Sequence, residues 1–229
     1  MNISVSLVTW LPCWRIIPSR FPPIDLFERV ADPADLEAIV ALETLTNDRI
    51  RDAVGELQLV PQQDRISGRG TSHIMAAFTH LNPAGSRFSD GTFGVFYAAY
   101  TLDTAIAETR YHREQFLRAT SEPPLELDMR VLLADLQQHL PDIRGRQQDL
   151  PAIYAPEDYS AAQALGKRLR AQNSWGIVYD SVRHAGGECA AVFRPPALQN
   201  CRQERHLCYV WDGTRISMVY RKGSLRHMP

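Results

Sequence analysis

The chain has 229 residues, 45% apolar and 22% charged, with a formal net charge of -1 and an isoelectric point near 6.7. These values describe a globular chain able to bury a core of useful size. They exclude a global basic field for nucleic acid, and no apolar run approaches the ~18 residues of a membrane helix.

The start, MNISVSLVTWLPCW, is mildly apolar but lacks a basic leader and a small-residue cleavage site, so a cytoplasmic protein is expected. Cys13, Cys189, Cys201 and Cys208 form no C-x-x-C pair, which suits a reducing compartment. Ile3 to Val8 alternates as a strand, and Pro12, Pro18, Pro22 and Pro23 predict extended or looped chain over 11–31. Asp32-Pro33 is a helix start, followed by a rough helical period to about Leu59. Residues 61–70 read as a loop, and Thr71 or Ser72 as the cap of a short helix that Asn82-Pro83 ends.

Phe93 to Tyr97 reads as a strand with Phe93, Val95 and Tyr97 on one face and Phe96 on the other. Thr101 caps a helix with an apolar stripe of Leu102, Ala105, Ile106, Phe116 and Leu117. Leu125–Leu133 alternates as a strand, residues 137–158 read as polar loop, and Ser160 opens a helix that exits at Asn173. Strands are expected over Trp175–Val182, Cys189–Phe193, His206–Trp211 and Arg215–Tyr220, the last two joined through Asp212-Gly213. Helices thus fall mostly in the first two thirds and strands in the last third. The expected class is α+β in a single domain.

The segment GSRFSDGTFGVFYAAYTLDTAIAE, Gly85 to Glu108, concentrates the chemistry. Arg87 sits in a Gly/Ser/Asp-rich turn, where backbone amides and a planar guanidinium fork suit a phosphate or diphosphate. Spacing alone also fits a surface arginine. Tyr97 offers a ring for stacking, or simply packs in the core with its hydroxyl at the rim. Glu108 and His112 fall at the margin of the helix stripe, beside the core or as an ordinary i, i+4 surface pair. Ser181, in YDSVR, lies at a strand end, a common place for site residues. It caps a turn equally well, and the sequence around it is no G-x-S-x-G elbow. The seven histidines form no ligand set, so no metal is expected, and neither a Walker motif nor G-x-G-x-x-G occurs.

Trp14-Arg15-Ile16, GSRFSDGTFGVFYAA, TLDTAIAE and GIVYDSVRHAGGECAAVF, in that order from Trp14 to Phe193, resemble the RES domain, named for Arg, Glu and Ser. The resemblance makes Arg87, Tyr97, Glu108 and Ser181 the family's arginine, tyrosine, glutamate and serine. It implies an ADP-ribosyltransferase-like fold, with a mixed or antiparallel sheet among helices. It also implies NAD as substrate, consumed by hydrolysis or phosphorolysis at the nicotinamide–ribose bond, and an Xre-type helix-turn-helix antitoxin as partner. Some members instead transfer ADP-ribose to a protein, and a non-catalytic binding module is the reading from another class. On this resemblance Glu108 stabilises an oxocarbenium-like state through a ribose hydroxyl. Arg87 holds the diphosphate, Tyr97 shapes the nicotinamide end, and Ser181 bonds nicotinamide, ribose or phosphate. Against shorter members the chain carries an inserted helical region at about 32–80 and an extended RYHREQFLRAT after Glu108. These additions suit extra walls around the site or a surface for a protein target.

Overall fold

The computed structural model describes residues 3–19, 26–29, 32–44 and 55–223. In chain order the main elements, apart from one helical turn at Leu26–Arg29 inside the stretch expected to be extended or looped, are β1 (Ser4–Pro18), α1 (Leu36–Thr44), α2 (Thr71–Thr79), β2 (Phe96–Ala99), α3 (Leu102–Ala119) and β3 (Leu125–Asp142). Then come α4 (Ser160–Ala171), β4 (Gly176–Asp180), β5 (Glu188–Val192), β6 (Leu198–Trp211) and β7 (Ile216–Arg221). The class is α+β. The sheet runs β1-β2-β5-β4-β3-β6-β7, and β1 also pairs β3, so the first five strands in that order close on themselves. Every pairing is antiparallel except β3 with β4.

The strands outrun their sequence signals. β1 continues through the prolines to Pro18, and its register with β3 slips between Trp10 and Cys13, where Pro12 has no amide to donate. β3 continues through the polar Gln137–Asp142, which pairs Ser4–Thr9 of β1. The expected loop over 137–158 therefore begins only after Asp142, and the two longest strands lie in the first two thirds of the chain.

The helices begin nearly where the sequence starts them. Asp32 Oδ1 accepts from Ala34 N at 2.9 Å and opens a turn of 3-10 helix leading into α1. The helical period expected from there to Leu59 lies outside the described residues over 45–54 and resumes as a short turn at Leu57–Leu59. Thr71 is the first residue of α2, not its cap. Gly70 holds that position with φ 82°, and Thr71 Oγ1 instead donates to Gly68 O at 2.7 Å. Thr101 caps α3 by accepting from Thr104 N at 3.3 Å. Phe116 departs from the expected stripe and is 51% exposed, whereas Ala105 and Leu117 are buried.

Two apolar clusters occupy the two faces of the sheet. Leu36, Leu57, Val60, Ile74, Met75 and Phe78 pack with Phe96, Ala98, Val178, Ala190 and Val192 on one face. Ala105 and Leu117 of α3 and Leu165 and Leu169 of α4 pack with Ala99, Tyr179, Cys189 and Ala191 on the other. The described apolar residues of 32–80 thus cover the face opposite Tyr97, which packs with the second cluster.

Candidate active site

The loop carrying Arg87 is folded tightly on itself. Gly85 and Gly91 turn it with φ of 74° and 90°, a region that glycine enters without strain. Ser89 Oγ donates to Phe93 O at 2.6 Å, and Asp90 Oδ1 accepts from Thr92 N at 3.1 Å. Two neighbours fix the loop. From α4, Gln163 Nε2 donates to Ser86 O at 3.1 Å, and Gly166 abuts Phe88. From β2, the Tyr97 hydroxyl bonds Ser86 Oγ at 2.8 Å and accepts from Phe88 N at 2.9 Å, gripping the residues on either side of Arg87. Burial pushes the Tyr97 hydroxyl up to about 12, against those bonds and the nearby Arg87 charge.

Arg87 itself is buried. Its Nη1 donates to Ile153 O at 3.1 Å and Ala155 O at 3.0 Å, and its guanidinium stacks 4.6 Å from the centre of the Tyr159 ring. Behind Tyr97, Arg15 Nη1 donates to the Tyr97 carbonyl at 2.9 Å, which gives the Trp14-Arg15-Ile16 motif a structural task.

Glu108 and Ser181 meet directly. Ser181 Oγ donates to Glu108 Oε1 at 2.6 Å and accepts from the amides of Arg183 at 3.1 Å and His184 at 3.0 Å. Cys189 Sγ lies 3.8 Å from the same Oε1. Among the described residues both bonds to Glu108 fall on Oε1, and Oε2 accepts none. The β4–β5 turn is also tied to α3 one helical turn earlier, where Thr104 Oγ1 and His184 Nδ1 are 2.8 Å apart. Positions 104 and 108 share a helix face, so one stripe of α3 holds the whole turn.

These pairs stand over one sheet face. Tyr179 and Cys189 are paired across β4 and β5, Tyr97 pairs Ala191, and all four pack in the second cluster. Burial raises the Tyr179 hydroxyl well above its ordinary range, with Cys189, Glu108 and Tyr97 adding and Arg87 opposing. Burial and then the Glu108 charge likewise keep the Cys189 thiol protonated. Tyr179 was legible as the residue two before Ser181 on a strand. Thr104 was legible as the residue four before Glu108. Tyr159, Cys189 and the carbonyls of 153–156 had no local signal. Among the described residues no group of acidic, histidine and cysteine side chains is placed to hold a metal. A groove of about 590 Å³ lies by the start of α3, lined by Leu11, Trp14, Tyr100 and Leu102 among others. None of Arg87, Tyr97, Glu108 and Ser181 lines it, so the groove and the polar constellation are separate features.

A model of the RES domain matches residues 62–212. Uncharacterized protein y4oC of Sinorhizobium fredii (strain NBRC 101917 / NGR234) is 34% identical over 207 residues, spanning 90% of this chain and 86% of that protein. Among solved structures, a chain of the M. tuberculosis MbcT–MbcA toxin–antitoxin complex aligns over 86% of both chains with 12% identity and a TM-score of 0.41.

Proposed function

Because the chain belongs to the RES domain family, we propose that it is the toxin of a toxin–antitoxin pair and consumes NAD by cleaving the nicotinamide–ribose bond. The observation that carries this reading is the Ser181–Glu108 bond of 2.6 Å, which fixes one carboxylate oxygen and leaves Oε2 to accept from a ribose hydroxyl. In the reaction the bond from the ribose C1′ to the nicotinamide nitrogen breaks. Its electron pair leaves with nicotinamide, which becomes neutral. Positive charge builds on the ribose, where a fixed carboxylate stabilises the transition state more than the ground state. Water or inorganic phosphate then adds at C1′, and in hydrolysis the water proton passes to solvent. Arg87 faces the diphosphate with Nε and Nη2, since Nη1 is held by the 153 and 155 carbonyls. Tyr97 holds the Arg87 loop, and Ser181 orients Glu108. The partner in this reading is an Xre-type helix-turn-helix antitoxin, and the site of action is the cytoplasm.

The test is chromatographic identification of products from NAD, with and without phosphate, using protein prepared free of antitoxin. Nicotinamide with ADP-ribose or its phosphate is expected. Glu108→Gln should retain the circular-dichroism spectrum and cut turnover by about 10²-fold or more. Intact NAD under every condition, or equal turnover in Glu108→Gln, overturns the reading. Label from NAD on a protein of a cell extract, in place of free products, would replace breakdown by protein ADP-ribosylation.

A further inference from the structure

Arg183 follows Ser181 by two residues, at the mouth of the β4–β5 turn. Its guanidinium stacks 3.3 Å from the centre of the Tyr111 ring. Its Nη2 donates to Pro156 O and lies 3.5 Å from the Tyr159 hydroxyl. Arg87 holds the same segment through Ile153 O, Ala155 O and the face of Tyr159. Two guanidiniums from distant parts of the chain therefore converge on Ile153–Tyr159, and both reach Tyr159, one at its ring and one at its hydroxyl. Among the described residues no carboxylate pairs with either. Like charges brought together and left without counter-charge favour an anion of matching charge.

Resting on the NAD reading above, we propose that Arg183 and Arg87 form a two-arginine clamp for the diphosphate of the dinucleotide, with Tyr159 as their shared neighbour. Each guanidinium keeps donors beyond those given to the carbonyls of 153–156, and planar forks match phosphate oxygens in pairs. Both charges reach a common point. His112, one turn beyond Glu108, is held below its ordinary value first by desolvation, with Glu108 opposing and Arg183, Arg113 and Arg87 adding. Placing the diphosphate there sets the ribose toward Glu108, since Arg183 and the Ser181 that bonds Glu108 belong to the same turn.

The test titrates the full chain with ADP-ribose and with AMP by calorimetry, in the parent, Arg183→Ala and Arg183→Lys. Losing a charge-assisted pair should weaken ADP-ribose about 10- to 100-fold in Arg183→Ala. Arg183→Lys should fall in between, and AMP should weaken less, so that the preference for the diphosphate shrinks. An unchanged ADP-ribose affinity, equal losses for both ligands, or no ADP-ribose binding by the folded parent overturns the clamp. If Arg183→Ala unfolds, Arg183→Lys carries the same comparison. NAD turnover separates the two claims. A parent that binds ADP-ribose through Arg183 yet leaves NAD intact keeps the clamp and loses the reaction. A parent that consumes NAD with an unaltered KM in Arg183→Ala keeps the reaction and loses the clamp.

Discussion

Tyr97 is a residue whose hydroxyl does more than its ring. That oxygen is shared between Ser86 Oγ and the Phe88 amide, so it determines where Arg87, between them, can sit. Tyr97→Phe keeps the packing but strands a part-buried amide and a hydroxyl, at a cost of about 1–3 kcal/mol. The expected outcome is a lower urea midpoint, with a rise in KM for NAD larger than the fall in kcat. A parent-like KM in the folded variant would show that the loop holds Arg87 without this bond. The sequence placed Tyr97 and Arg87 in one segment, because a Gly-rich turn feeding an apolar run is a local pattern. It did not reveal the hydroxyl's grip on the loop, because loop closure onto a hydroxyl depends on where the turn folds back, which spacing does not encode. Glu108 was more legible. The helical period put it at the edge of the apolar stripe, where it is half-buried against Ser181.

At the scale of elements, α4 matters through a missing side chain. Gly166 faces the Phe88 carbonyl so closely that a Cβ there would lie 2.0 Å from the oxygen. In an unpacked helix, Gly→Ala stabilises by about 1 kcal/mol. Here the methyl must push the Arg87 loop off α4, and overpacking of this kind costs about 1–3 kcal/mol. Gly166→Ala is therefore expected to lower the thermal midpoint and to weaken ADP-ribose binding together; a raised midpoint with unchanged binding would refute the close docking. The sequence announced α4 by its start at Ser160 and its exit at Asn173, but not that position 166 touches a loop. It announced α3 through Thr101, and its stripe failed at Phe116, which is exposed beside the buried Leu117. β1 and β3 were under-read because proline and polar residues signal loops locally. Pairing between them overrides that signal, as Gln137 opposite Thr9 and His139 opposite Leu7 show.

Across the whole molecule, acidic groups that burial keeps neutral set a limit on alkaline stability. Cys13 and Cys201 are pushed up to about 12 from an ordinary 9, and Tyr97 and Tyr209 to about 12 from 10, each chiefly by burial. Below about pH 8 these groups are protonated whether the chain is folded or not, and they contribute almost no slope. Above it the unfolded chain releases protons that the folded chain retains, so stability falls as pH rises toward 12. The two thiols alone account for about 2–3 kcal/mol by pH 10. Urea midpoints should hold level from pH 7 to about 8 and drop by pH 10; a level midpoint at pH 10 would show that these groups ionise in the folded chain too. The α+β class was legible from the mixture of periods, but the closed order of strands was not, because it depends on β1 returning to pair β3 across more than a hundred residues. The short strand β2 shows what two occupied faces mean for variation. Phe96 and Ala98 pack with the cluster that the described residues of 32–80 cover, and Tyr97 and Ala99 with the one beneath α3. Adjacent codons in this one strand therefore answer to different selections. Variants at 96 and 98 are expected to be lost from the soluble fraction, whereas variants at 97 are expected to persist as soluble protein with an altered Arg87 loop.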